Sequence, residues 1–288
     1  MSKKRVHRIL SLIFAASLIS ASAMAKNTGS IQIKGSDTMV NLVQAWAEAY
    51  MKKNPDSNIA VTGGGSGTGF AALIGGTCDI AVASRTIKPK ELDLAAKKGI
   101  HPTEITVALD GLAVVVNSKN PVSQLTIDQL ADIFTGKIKN WKEVGGVESK
   151  IVILSREVNS GTHVYFKEHV LRKGDEKSKE EYSAEALLLS SSQAIADEIA
   201  QNPSAIGYYG MGYIGKAQKA LSIAKMAGGE YVTPKTEDVI SGRYPISRPL
   251  FIYTKGEPAG DVKKFIDFIL SGEGQSVVMS MDFVPLKK

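Results

Sequence analysis

Cysteine is nearly absent from this sequence: Cys78 stands alone, which excludes an internal disulfide and leaves stability to a packed core. Cys78 sits among apolar residues and reads as a buried thiol, with no base beside it to make it a nucleophile. Histidine is scarce too. His7, His101, His163 and His169 show no metal-ligand spacing, and the step from His163 to His169 does not place the two on one helical face. Excess charge of one sign is equally small once residues 1–25 are set apart. They hold Lys3, Lys4, Arg5 and Arg8 and no acid, leaving 31 basic against 29 acidic side chains, a net +2. That balance excludes the concentrated basic face of a nucleic-acid or acidic-membrane binder, so any anion recognition has to be local.

The first 25 residues read as an address. A basic start precedes the apolar run from Ile9 to Leu18, and Ala23-Met24-Ala25 offers the small-x-small pattern of signal-peptide cleavage, so the exported chain is expected to begin at Lys26. The apolar run is shorter than the roughly 20 residues a bilayer requires, and serines dilute it.

After that segment, short β-branched runs alternate with amphipathic stretches, the pattern of an α/β protein. Strands are expected at Ile31–Ile33, Ile59–Val61, Ile80–Ala83, Ile105–Ala108 and Leu112–Val116. Others follow at Ile151–Leu154, Ile206–Tyr209 and Pro249–Tyr253. Helices are expected from Val40 to Met51, from near Phe70, after a capped start at Thr126, and from Val262 to Leu270. Neither internal repeat nor low-complexity tract interrupts the chain. Two α/β units suggest two domains with a cleft between them, a common place for ligands; one larger sheet is the alternative.

Three segments share a design of strand, turn rich in Gly, Ser and Thr, then helix: Gly35-Ser36-Asp37-Thr38, Gly63 to Gly69, and Asn159-Ser160-Gly161-Thr162. A helix start presents unpaired N–H groups and the positive end of its dipole, glycine lets backbone approach, and hydroxyls add donors. Taken singly, each segment reads as an ordinary cap; three together favour an anion site. Nucleotide motifs fail here. Gly69 is followed by Phe70 and Ala71 where a P-loop has Lys and Ser or Thr, and Thr68 stands where a nucleophile elbow has its second glycine. Arg156 lies four residues before Ser160, and Arg85 follows Ser84 at the end of a strand; both can aim a forked guanidinium at an oxyanion. Asp37 either accepts a proton from the ligand or caps the helix after it. Such an acceptor would favour phosphate, which keeps a proton near neutral pH, over sulfate, which has none.

Taken as a set, Gly35 to Thr38, Gly63 to Gly69, Cys78 to Arg85, Arg156 to Thr162, Ile206 to Tyr209, Tyr244-Pro245-Ile246, Arg248-Pro249-Leu250, Ser271 to Gln275 and Phe283-Val284-Pro285 resemble the periplasmic phosphate-binding proteins of ABC-type uptake systems, particularly their shorter members. The resemblance implies a type II periplasmic-binding-protein fold, two α/β lobes joined by two crossovers with the ligand cleft between them. It places one lobe at 26–118 plus 240–288 and the other at 119–239. It also puts Ser66, Arg156, Ser160, Gly161 and Thr162 on ligand positions, with Ser36 and Thr38 in the first ligand loop. Longer members of that family carry a carboxylate after the serine ending the third strand, where it accepts the phosphate proton; here Ser84 is followed by Arg85. The implied function is capture of inorganic phosphate in the periplasm by a monomer, without cofactor or catalysis, and delivery to an inner-membrane ABC permease complex. A binder of sulfate or another tetrahedral oxyanion, and a secreted phosphoryl hydrolase, are the other readings.

Overall fold

A computed structural model describes residues 30–286. The expected cleavage after Ala25 lies outside them. The first part of the chain alternates strand and helix: β1 (Ile31–Gly35), α1 (Val40–Lys53), β2 (Ile59–Thr62), α2 (Ser66–Gly75), β3 (Ile80–Ala83) and α3 (Pro89–Lys97). The long β4 (Thr103–Asn117) leads to β5 (Gln124–Thr126), α4 (Ile127–Phe134), β6 (Val152–Arg156) and α5 (Gly161–Phe166), which runs on into a π-helical turn at Lys167–Leu171. Then come β7 (Leu187–Leu189), α6 (Ser192–Gln201), β8 (Ala205–Gly210), β9 (Gln218–Ala220), β10 (Ser222–Ala224) and α7 (Thr236–Ile240). The last elements are β11 (Ser247–Thr254), α8 (Gly260–Leu270) and α9 (Gly272–Ser280).

Nine strands form one sheet: eight follow the hydrogen-bonded path β2-β1-β3-β11-β4-β8-β6-β7, and β9 lies off it, paired with β4. β1 pairs in parallel with β2 and β3, β6 in parallel with β7 and β8, and β11 and β4 join the two groups as antiparallel partners. The hydrophobic interior is correspondingly divided. One main core gathers Ile33, Trp46, Ile80, Val107, Ala108, Leu250 and Phe265, and the other gathers Leu112, Val114, Phe134, Trp141, Phe166, Tyr208, Tyr244 and Ile246. Two smaller clusters gather Phe70, Leu73, Ala81 and Tyr253, and Val115, Leu154, Ile195 and Tyr209. The change from one core to the other falls between Ala108 and Leu112 on β4 and between Ile246 and Leu250 on β11.

The expected strands at Ile105–Ala108 and Leu112–Val116 are one continuous strand, because Asp110 and Gly111, which lie between the two runs, stay in register with Arg248 and Ser247 of β11. The helix expected near Phe70 begins four residues earlier: Ser66 to Gly69 are its first turn. Its glycines are compatible with that start because close packing calls for them. A Cβ at Gly69 would stand 2.7 Å from the Lys34 carbonyl of β1. The start after Thr126 is a full capping box, Thr126 Oγ1 accepting from the Gln129 N–H and Gln129 Oε1 from the Thr126 N–H.

Candidate functional site

Each chemistry-bearing loop follows the C-terminal end of a strand, the usual ligand edge of open α/β sheets. Ser36, Asp37 and Thr38 follow β1, Gly63 to Gly65 follow β2, Ser84 and Arg85 follow β3, and Glu157 to Ser160 follow β6, which ends in Arg156. The glycine turn after β2 can be so tight because Gly65 adopts φ +89°, in the region that favours glycine. It brings α2 against the Asn159 backbone, where the Gly67 N–H donates to the Asn159 carbonyl at 3.0 Å.

The loops converge on a buried cluster of hydroxyls. Ser36 Oγ donates to Ser84 Oγ at 2.9 Å, Ser66 Oγ accepts from the Ser84 N–H at 3.1 Å, and Thr38 Oγ1 and Thr162 Oγ1 lie 2.7 Å apart. Ser66 Oγ and Thr162 Oγ1 each lie 3.5 Å from Ser84 Oγ. Gly161, in the first turn of α5, has to be glycine. A Cβ there would stand 2.2 Å from Ser66 Oγ and 2.7 Å from Ser84 Oγ, closer than atoms can pack. Ser160 caps α5 through its Oγ, which accepts from the His163 N–H. Seven of the ten residues singled out in the sequence thus lie in or directly against one cluster: Ser36, Thr38, Ser66, Ser84, Ser160, Gly161 and Thr162.

The other three form ion pairs at its margin. Arg156 is 1% exposed at its side chain and donates through Nη2 to Asp37 Oδ2 at 2.6 Å. Its Nε and Nη2 also donate to the Leu189 and Ser190 carbonyls, and its Nη1 to Ser192 Oγ. Asp37 does not cap α1, whose N-cap is Met39. Its second oxygen accepts from the Gly64 N–H at 3.0 Å, and Tyr213 Oη donates to its carbonyl. Arg85 turns away from the hydroxyls. It makes a two-pronged bridge to Glu91 at 2.8 and 2.7 Å, stacks on Phe70, and leaves its buried Nε–H without a partner. On its far side a groove of about 510 Å³ runs between Arg85 and Lys88 on one wall and Glu168, His169 and Arg172 on the other.

A third pair borders the cluster, and the sequence assigns neither of its members a ligand role. Arg248 of β11 and Asp110 of β4 are opposite partners in the sheet, both fully desolvated, joined by bonds of 3.1 and 2.9 Å from Nε and Nη2 to Asp110 Oδ2. Arg248 also donates to the Ser84 carbonyl at 3.0 Å and to Thr162 Oγ1 at 2.9 Å. Burial pushes the Asp110 carboxyl above its usual range, while Arg248 and the Met211 N–H pull it back. The available clue was an arginine inside an otherwise apolar strand, Ser247-Arg248-Pro249-Leu250-Phe251-Ile252.

Across the cleft the two halves already touch. Thr38 meets Thr162, Asp37 meets Arg156, and Asn159 Nδ2 donates to the Gly64 carbonyl at 2.9 Å and to Thr68 Oγ1 at 3.3 Å. The serine–histidine contact of Ser155 Oγ with His163 Nδ1, 3.3 Å, lies outside the cluster; Ser155 is buried and bonded to Tyr208 Oη, in no position to act as a nucleophile. Among the described residues no group of three or more His, Cys, Asp or Glu side chains could hold a metal ion, and no helix is long and apolar enough to cross a membrane.

Comparison with known proteins agrees with this geometry. Residues 20–273 match the PBP superfamily domain. The chain is 37% identical over 269 residues to the phosphate-binding protein PstS of Bacillus subtilis (strain 168), covering 93% of this chain and 84% of that one. It is 32% identical over 276 residues to the PstS of Pseudomonas aeruginosa, covering 90% and 84%. Among solved structures, a Clostridium perfringens protein, described as a phosphate ABC transporter substrate-binding protein and solved with phosphate bound, superposes with a TM-score of 0.80 at 35% identity. It covers 90% of this chain and all of its own. An ABC-type phosphate transport receptor from Vibrio cholerae gives 0.70 at 30% identity, with the same coverage.

Proposed function

This chain belongs to the PBP superfamily of substrate-binding proteins, and on that premise we propose that it captures inorganic phosphate between its lobes and delivers it to an inner-membrane ABC permease complex. It has the expected type II periplasmic-binding-protein fold. The observation that carries the reading to a tetrahedral oxyanion is the convergence of five buried hydroxyls, on Ser36, Thr38, Ser66, Ser84 and Thr162, with the first turns of α2 and α5. Hydroxyls and helix N–H groups replace the water shell of such an anion from several directions. Arg156 supplies the charge, and Asp37, the carboxylate bound to it, is the acceptor for the phosphate proton, taking the part that Arg85 cannot. Arg85, held by Glu91 and turned from the hydroxyls, would reach the anion only by leaving that bridge.

The protein works as a monomer in the periplasm after cleavage behind Ala25, uses no cofactor and catalyses no reaction. The lobes pivot at Asp110–Leu112 on β4 and Ile246–Arg248 on β11, and the contacts of Asn159 with Gly64 and Gly67 form as the cleft shuts. Titration calorimetry of the exported chain with phosphate is expected to give saturable one-site binding; absence of heat with phosphate, sulfate and arsenate alike would sink the oxyanion reading. Sulfate is expected to compete poorly at every pH. Equal competition would move the assignment from phosphate to oxyanions in general.

A further inference from the structure

Arg248 is not among the residues that contact the cleft from a loop. It is mounted on β11, where the chain passes from one core to the other, and Asp110 faces it from β4 at the equivalent place. From there its guanidinium reaches both sides of the cleft at once: the Ser84 carbonyl, at the end of β3, and Thr162 Oγ1, in the first turn of α5. The ring of Tyr165, one turn further along α5, lies against it at 5.3 Å, and Tyr165 Oη donates to the Ser247 carbonyl at 2.6 Å. With Asp110 taking two of its bonds, the guanidinium is fixed in orientation.

A threonine hydroxyl has one proton and two lone pairs. Arg248 has no lone pair to offer, so its Nη2–H occupies a lone pair of Thr162 Oγ1, and the Thr162 proton has to point elsewhere. The remaining neighbours are Thr38 Oγ1 at 2.7 Å and Ser84 Oγ at 3.5 Å, both members of the hydroxyl cluster. A charged donor on one side of a hydroxyl also strengthens that hydroxyl as a donor on the other.

We propose that Arg248 is a positioning residue of the anion site, which holds Thr162 as a hydrogen-bond donor toward bound phosphate and ties that orientation to the closed arrangement of the two lobes. This rests on the reading of the hydroxyl cluster as a phosphate site. Removing Arg248 alone would strand the Asp110 carboxylate in the core, so the informative variant removes both charges, Asp110→Asn with Arg248→Met.

The test is a double-mutant cycle read by phosphate calorimetry on four proteins: the unaltered chain, Thr162→Val, the Asp110→Asn/Arg248→Met pair, and all three changes together. Thr162→Val and the pair variant are each expected to weaken phosphate binding by about 10- to 100-fold, the usual range for a hydrogen bond involving a charged partner. The combined variant is expected to be within about threefold of the weaker of the two. Losses that multiply would show that Arg248 acts independently of Thr162 and overturn the proposal. If the unaltered chain fails to bind phosphate, it is the phosphate reading that falls; if it binds but the cycle is multiplicative, only the role of Arg248 falls. Should the pair variant melt below the assay temperature, Arg248→Lys carries the same cycle, since a lysine keeps the charge beside Asp110 but lacks the fork. Full phosphate affinity in Arg248→Lys would reduce the requirement to charge and equally overturn it.

Discussion

Arg156 and Asp37 form the one pairing in which two residues singled out from the sequence complete each other by an ion pair. Arg156→Ala removes the charge that balances both Asp37 and a bound anion, and phosphate affinity is expected to fall at least a hundredfold in calorimetry. Asp37→Asn keeps the size of the side chain and the bond from Gly64 but weakens acceptance of a ligand proton. Selectivity for phosphate over sulfate is expected to drop by about tenfold or more, read by competition at pH 7, and unchanged selectivity would assign proton acceptance elsewhere. His163 offers a test by pH. Burial, helped by the charge of Lys167, pulls its pKa from 6.5 down to about 4, so the folded chain holds it neutral while the unfolded chain protonates it below 6.5. The resulting stability is complete above pH 6.5, declines as the pH falls, and is gone below about 4, a loss of up to roughly 3 kcal/mol. Thermal unfolding between pH 4 and 7 is expected to show this slope, and His163→Gln to flatten it.

Gly65 shows how one turn sets the meeting of two elements. Its φ of +89° is strained for any other residue, and a Cβ would stand 2.7 Å from the Asn159 carbonyl across the cleft. Gly65→Ala is expected to weaken phosphate binding by about 5- to 150-fold, the range of 1–3 kcal/mol for such strain, measured by calorimetry. Thr126→Ala, which opens the capping box of α4 far from the hydroxyls, is expected to lower stability by about 1 kcal/mol in denaturant unfolding and to leave phosphate affinity unchanged. At this scale much was legible in the sequence. The periodicity of β-branched and amphipathic runs places β1 to β3, α1 and α8, and the three Gly, Ser and Thr turns do converge. What was hidden has physical causes. Asp110-Gly111 parts two apolar runs yet lies within a strand, because its polar side chain is met by Arg248 from β11, and that meeting depends on sheet register between residues 138 positions apart. Likewise Ser66 to Gly69 is helical despite its composition, since glycine there permits contact with β1 and with Asn159.

Among the described residues two main hydrophobic cores, each with a smaller cluster beside it, are joined by two crossover strands, with the hydroxyl cluster fed from both sides. On the proposed reading, a ligand at that cluster binds only the arrangement in which both lobes are folded and closed. Phosphate at a thousand times its dissociation constant is therefore expected to stabilise the chain by about 4 kcal/mol and to merge the melting of the two lobes into one transition. Differential scanning calorimetry reads both effects, and an upward shift confined to one of two separate transitions would contradict the placement of the site between lobes.

All three arginines around the cluster are matched by a carboxylate of their own, Arg85 by Glu91, Arg156 by Asp37 and Arg248 by Asp110. Seen from a distance such pairs are dipoles, whose fields fade within a few ångströms and are little altered by dissolved salt. Long-range attraction then contributes little to the encounter, and the rate at which phosphate enters is governed by diffusion and by how often the cleft stands open. Stopped-flow association rates should accordingly change by less than about threefold between 10 and 300 mM sodium chloride, in contrast to the steep fall of an electrostatically steered encounter.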